Sequence, residues 1–561
     1  MSAERGTAHR AVTAGVALAS AFLVVLGGAG PGAVPANHAA IGAPPTRDLV
    51  LGPTDPSALV RATLVLRTAD PVGLRRYLAA VESRRTPGGS LTPGAFGRRF
   101  GLPAAHIERI RMLLARAGLT VTTSYPQRTA LGVEGTAAAV DRFFDVRMID
   151  HRAGGVGRYN APASDPVIPL PLRPDVTSVL GLSDRPPAVS FHHLGEVPSG
   201  GLTPTEAASA YDIAPLQRAG FTGNAQTIAV VSFATVKDSE VAAYDEHFGL
   251  SGPPVVHVKV DGGSTKTDLE ANLDVEVIRA IAPAAQILNF EAPNGKVSIG
   301  DVIDAIVKDG RAKVISDSWG FCVQPGNAAE RSRDQRAIDA AVATGISIFA
   351  ASGDAGAYDC QRNDASAITP TVDWPASSSG VVGVGGTRLF LTAAGGYGRE
   401  FGWEDVLSDA GAGGGYSPDV PRPAWQQGPG VDTEASTGKR QIPDVAGPGD
   451  PDSGFFVVGG NGSGQPAAFQ VGGTSAAAPF WAASTLLMGQ YAASKGVRSL
   501  GFVAPALYAI AAGAQRFPAF HDITQGANRL YPCTTGWDAA TGLGTPDVFG
   551  LAQDLVLHAK G

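Results

Sequence analysis

From Thr203 onward the chain alternates short apolar runs with amphipathic stretches of helical length, and this alternation confines it to few folds. "QTIAVVSF" precedes "DSEVAAYDEHF", "AQILNFEA" precedes "IGDVIDAIVKDG", and "AKVISDSWG" precedes "AERSRDQRAIDAAVATG"; "ISIFAASGD" and "GVVGVGGT" follow. Strands that are apolar throughout need cover on both faces, which helices crossing between parallel strands supply. The expected architecture is α/β with a doubly wound parallel sheet. Sites in such sheets form at the C-terminal ends of strands.

A different pattern occupies Val50 to Leu182. Strand-like "ATLVLRT", helix-like "PVGLRRYLAAVES", "TPGAFGRRFGL" and "PAAHIERIRMLLARAG", strands "TVTTSY" and "TALGVEG", and helix "TAAAVDRFFD" describe a small α+β domain with helices on one face of its sheet. The Pro- and Gly-rich "SDRPPAVSFHHLGEVPSGGLTP" reads as a solvent-exposed linker. The boundaries are 1–40, 41–184, 185–201 and 202–561. A length of 561 residues suits two to four domains, and a hydrophobic fraction of 44% excludes a disordered polymer.

Residues 1–40 have the form of an export signal: Arg5 and Arg10 precede the charge-free run Ala11 to Gly30, and small residues follow. Cleavage is expected near Ala36 to Ala40, leaving a secreted protein; an uncleaved membrane anchor is the alternative. No later segment reaches the roughly 18 uninterrupted apolar residues of a spanning helix, so no stable membrane association is expected once the signal is removed. Export permits disulfides. Of Cys322, Cys360 and Cys533, the first two each follow a candidate parallel strand and are the expected pair, with three unpaired thiols as the alternative. Four metal-ligating cysteines are not available, which argues against structural zinc.

Charge divides the chain. Arg47 to Arg185 holds 19 Arg, no Lys and 12 acidic residues, a balance of +7; from Pro186 the balance is −15. The arginines interleave with a regular apolar pattern, so the basic block implies an intramolecular partner, with no nucleic acid. Electrostatics would then help hold the two domains together, and acid would loosen them.

Three motifs carry chemistry. In "VGGTSAAAPFWAASTLLMGQY" a strand runs into Ser475 at a helix start, where small alanines leave room for a peptide and N–H groups face the hydroxyl. A helix N-cap is the alternative. No histidine lies in a Gly-flanked loop before a helix, and each reads as surface or satisfied core, His257 and His521 included. In "TDLEANLDVEVIRAIAP" Glu270 and Asp274 share a helix face capped by Thr267 or Asp268, and a carboxyl pair sharing a proton can serve as a base at acid pH. An ordinary acidic helix face is the alternative. In "SGDAG" Asp354 ends a strand, where its protonated form could donate to an oxyanion, or where it simply closes a turn.

Together the E-x-x-x-D helix, the S-x-G-D turn and the G-G-T-S-A-x-x-P stretch resemble the sedolisin, or serine-carboxyl peptidase, family, with a kumamolisin-like activation domain. The resemblance implies a subtilisin-like catalytic domain behind a small α+β, ferredoxin-like prodomain that acts as intramolecular inhibitor and chaperone. It implies an acid-active, self-processing, monomeric enzyme on polypeptide substrates, with Ser475 as nucleophile, Glu270 as base, Asp274 as its partner and Asp354 in the oxyanion hole. It further implies a cleft lined by Ser318, Trp319 and Gly320 and by Gly413, Gly414 and Gly415. Asp373 in "TVDWPASS" matches a pocket-shaping position and hints at tolerance of basic side chains. "FHDITQGAN" and "CTTGWDAATGLGTP" resemble the family's calcium loop, in which one Ca2+ is held by the carboxylates of Asp522 and Asp538 and the carbonyls of Ile523, Thr534 and Gly536. Ser232 departs from a Glu that extends the carboxylate network in kumamolisin-like members, and "RQIPDVAG" adds Asp444 to the matches. A subtilase with a displaced His base, or an inactive homologue that binds peptide or calcium, are the rival readings.

Overall fold

The computed structural model describes residues 48–83, 89–154, 156–195, 200–460 and 465–560. The expected export signal lies outside them. The large sheet has eight strands, ordered Val256–Lys259, Gln286–Glu291, Thr227–Ser232, Val314–Asp317, Ser347–Ala351, Val382–Leu391 and Tyr397–Gly402, with Val445–Pro448 also on Val382–Leu391. All neighbours are parallel except the Tyr397–Gly402 edge. Thr227–Ser232, first in sequence, sits inside the sheet, so the winding reverses there.

Helices cover both faces, as the continuous apolar runs require. Leu269–Ile281 packs on Thr474–Ser494, which crosses beneath the strands Val314–Asp317 to Val382–Leu391; Ile299–Asp309 and Ala328–Ala343 pack together elsewhere. Thr474–Ser494 is buried over its first fifteen residues, with Ala476, Ala477 and Ala478 wholly inside. Its small side chains let it lie close to the sheet, and that closeness fixes the end bearing Ser475.

The N-terminal domain is α+β. Its four-stranded antiparallel sheet runs Thr120–Ser124, Ala130–Thr136, Leu59–Leu66, Val176–Leu180, and a second sheet of Leu49–Pro53, Met148–Ala153 and Gly157–Pro162 stands beside it. The helices Ala104–Arg116 and Ala137–Phe144 close a core around Leu64, Leu131 and Val133. The other two helices differ from the expected arrangement. Pro71–Glu82 and Pro93–Arg99 bury Leu74, Tyr77, Phe96 and Phe100 against Ala340 and Ala343 of the second domain, because the small alanines offer a flat surface for an apolar stripe.

The polar contact between the domains pairs charged groups of the second domain with neutral groups of the first, as where the Arg336 guanidinium donates to the Leu66 carbonyl at 2.7 Å. Gln127 Nε2 and Thr129 Oγ1 donate to the buried carboxylate of Asp304 at 2.8 and 2.5 Å, and Thr63 Oγ1 donates to Asp301 at 3.2 Å. Arg333 neutralises both aspartates from within their own domain. Arg61 with Asp261 is the ion pair across the boundary among the described residues, whereas Arg109 and Arg158 pair inside the N-terminal domain. The expected electrostatic hold therefore rests on few contacts.

Candidate active site

Ser475 is the second residue of its helix and follows Gly473. That glycine has φ +111°, and a Cβ there would stand 2.1 Å from the Phe191 carbonyl oxygen and 2.7 Å from Asp354 Oδ2. No other residue type fits. Glu270 and Asp274 lie one turn apart on Leu269–Ile281, whose N-cap is Asp268. Both are 0% exposed, as is Ser475, and Asp354 is 3% exposed.

Asp274 Oδ1 accepts a 2.5 Å hydrogen bond from the Ser318 hydroxyl. The Ser475 hydroxyl donates to the Ser318 carbonyl at 3.4 Å, and Glu270 Oε1 is buried without a hydrogen bond. Burial pushes both carboxyls above their usual range, but the surroundings split them. His192 favours charge on Glu270 against the nearby Asp268, whereas on Asp274 the Ser318 hydrogen bond is opposed by the charges of Glu270 and Asp317. Asp274 is pushed the further of the two, so Glu270 is the readier to ionise.

Asp354 lies just beyond the strand Ser347–Ala351, at its C-terminal end. Its Oδ1 accepts the Thr474 N–H and hydroxyl, each at 2.8 Å. Burial outweighs those bonds and pushes its pKa up to about 7. The other oxygen has no hydrogen bond and lies 3.3 Å from His193 Nε2.

The segment expected to be an exposed linker runs through this site. Val189–Ser190 pairs antiparallel with Trp319–Gly320, and His193–Leu194 pairs with Val471–Gly472. Between them the Phe191 N–H donates to Ser475 Oγ at 3.0 Å, and the Phe191 carbonyl accepts from the Ser475 N–H at 3.1 Å. The Phe191 side chain is 1% exposed. Backbone pairing and an apolar pocket outweigh the polar, Pro-rich composition that marked the segment as solvated. His192 Nδ1 lies 2.8 Å from Glu270 Oε2. Burial lowers the pKa of both histidines; Glu270 overturns this for His192, which ends raised, while His193 falls to about 4. Neither is the surface or core histidine expected.

Of the proposed cleft residues, Trp319 and Gly320 meet the linker, and Ser318 turns its hydroxyl to Asp274. Gly413 donates its N–H to the Gly353 carbonyl at 2.7 Å, beside Asp354, and accepts from the Ser352 hydroxyl at 2.6 Å, while Gly414 and Gly415 are buried against Ala539 and Tyr531. Asp373 pairs with the Arg362 guanidinium, and Asp444 pairs with the buried Arg440. Cys322 and Cys360 form a disulfide with Cα atoms 5.2 Å apart, and Cys533 is free and buried.

Residues 262–500 match the subtilase family, and residues 49–185 match the pro-kumamolisin activation domain. Kumamolisin from Bacillus sp. (strain MN-32) is 32% identical, covering 94% of this chain and 96% of that protein. The chain belongs to the sedolisin family of serine-carboxyl peptidases. Sedolisin from Pseudomonas sp. (strain 101) is 28% identical over 92% of the chain and 90% of that protein. The solved structure of Pseudomonas sedolisin with two molecules of pseudo-iodotyrostatin superposes with a TM-score of 0.54 at 28% identity, covering 63% of this chain and 98% of that one. This sedolisin-family chain is a serine-type peptidase made as a zymogen, with a subtilisin-like domain behind its activation domain.

Two further positions bear on the sedolisin-family reading. Ser232 donates to the Ala234 carbonyl at 2.9 Å and so closes a turn, in place of a carboxylate. At the expected calcium loop, Asp522 Oδ2 accepts the Gly536 N–H at 3.0 Å and Asp538 Oδ2 accepts the Thr534 N–H at 2.9 Å, so both carboxylates bond to the 534–536 turn. The donors expected there, these carboxylates and the carbonyls of Ile523, Thr534 and Gly536, are oxygen throughout, which is the chemistry a hard cation requires.

Proposed function

We propose that the chain is an exported, acid-active endopeptidase precursor that cuts itself between Phe191 and His192. The observation that carries this reading is the placement of one residue: the Phe191 N–H and carbonyl both bond to Ser475, and Glu270 and Asp354 flank it. Ser475 Oγ attacks the Phe191 carbonyl carbon while Glu270 takes the hydroxyl proton. Asp274 orients Glu270 and is itself held by Ser318. The tetrahedral oxyanion receives the Ser475 N–H and the Asp354 proton; Glu270 then returns its proton to the leaving His192 nitrogen, and water releases the acyl-enzyme by the reverse sequence. The oxyanion role favours acid: Asp354 must hold its proton, which it loses as pH rises through about 7.

A histidine base finds no support in this arrangement. The ring nitrogens against Glu270 and Asp354 belong to His192 and His193, which lie on the segment being cut. Asp522, Asp538 and the carbonyls of Ile523, Thr534 and Gly536 would hold one calcium ion, which when bound neutralises the two carboxylates and ties the loop. Export is proposed from residues 1–40; among the described residues no helix is long and apolar enough to cross a membrane.

The test is incubation of the full chain at acid pH with N-terminal mapping of the products. A new terminus at His192 is expected in the wild type and not in Ser475→Ala. Its formation in Ser475→Ala would remove the assigned nucleophile.

A further inference from the structure

We propose that Arg362 is the specificity residue of the pocket that holds the side chain before the cut, where it selects a flat aromatic group and rejects a cation. The inference rests on the reading of Phe191 as the residue preceding the scissile bond. The pocket is one small sheet with a lid. Val189–Ser190 of the linker, Trp319–Cys322 and Asp373–Trp374 are its three strands in order, with Cys322 opposite Asp373. A Cβ at Gly320 would stand 3.0 Å from two ring atoms of Phe191, so the missing side chain makes room for the ring. The Arg362 guanidinium carbon lies 4.1 Å from the ring centroid, within the range of a cation–π contact.

Arg362 is fixed from two directions. Its guanidinium pairs with Asp373, which is wholly buried. Its turn, Asp359–Arg362, is tied through Cys360 to Cys322 at the end of the strand that pairs with the linker. Asp373 alone would offer a buried carboxylate to a basic side chain. With Arg362 on it, that carboxylate is already neutralised, and an incoming Lys or Arg would meet like charge. The tolerance of basic side chains expected from Asp373 is therefore reversed by Arg362, a residue that no sequence motif singled out.

The experiment compares Ser475-dependent linker cutting, at about pH 6, in full chains carrying Phe191→Tyr, Phe191→Arg, Arg362→Ala, Arg362→Lys and the double variants that join Phe191→Arg to each change at Arg362. Phe191→Tyr should cut near the wild-type rate, and Phe191→Arg at least about tenfold more slowly. In the Arg362→Ala background the order should narrow or invert, because the guanidinium introduced by Phe191→Arg can then reach Asp373. Arg362→Lys, which keeps the charge without the plane, should still reject Phe191→Arg. Equal cutting of Phe191→Arg and wild type with Arg362 present would overturn the inference. So would Lys and Arg dominating the cut positions when the matured wild-type enzyme digests a denatured protein, a readout that needs no variant. Absence of any Ser475-dependent cutting in the wild type is a different failure, that of the underlying reading, and takes the inference with it.

Discussion

At the scale of single residues, the site is built by burial. Four carboxyls lie out of water with few counter-charges: Glu270, Asp274, Asp317 and Asp354. Burial pushes each above the usual carboxylate range, and the small differences in what each one faces then assign the proton. Gly473 is as necessary as any of them. Gly473→Ala should place a methyl group where the substrate carbonyl oxygen sits and force a strained φ, so kcat/KM on peptides should fall by at least about a hundredfold, the scale of losing an oxyanion-hole contact. Circular dichroism on the same sample would separate this from misfolding. Ser475, Glu270, Asp274 and Asp354 were legible as a set because their motifs are local and their spacing follows the helix or the strand end. The Ser318 hydroxyl and Arg362 were not, because each acts through a partner more than forty residues away or across a turn that no periodicity marks.

At the scale of elements, the strand–helix alternation after Thr203 was readable, since strands covered on both faces are built mainly of apolar residues. Docking faces were harder to read. Leu74, Tyr77 and Phe96 form an apolar stripe that suits a domain's own core as well as a neighbour's helix, and no pattern within the segment distinguishes the two. The linker was misread for the related reason that its burial comes from pairing with Trp319–Gly320, a contact remote in sequence. The turn between Thr120–Ser124 and Ala130–Thr136 carries a testable hold on the catalytic domain. Gln127→Leu should leave Asp304 short of a donor and weaken binding of a separately made prodomain by about 1–3 kcal/mol, measured by titration calorimetry. Because that hold is buried, binding should depend only modestly on salt.

At the scale of the molecule, the zymogen joins two domains through a strand laid along its own catalytic cleft. Charge balance, +7 against −15, describes the two blocks but explains little of their contact, which is apolar and hydrogen-bonded. The calcium ion proposed for the Asp522 and Asp538 loop would give the fold a second dependence. Chelation of calcium should lower the thermal midpoint of the catalytic domain, and added calcium should restore it, in a thermal melt with and without chelator. A midpoint indifferent to both would remove the ion. The central claim is that carboxyl groups do here what imidazole does in other serine hydrolases, and the pH dependence of kcat/KM for the matured enzyme tests it most directly. The wild type should be active below about pH 7 and lose activity above it as Asp354 deprotonates, and Asp354→Asn, whose amide donates at any pH, should lack that loss. Glu270→Gln should be lower by about 10²–10⁴-fold throughout. Activity that rises toward pH 8, or that survives Glu270→Gln undiminished, would contradict the account.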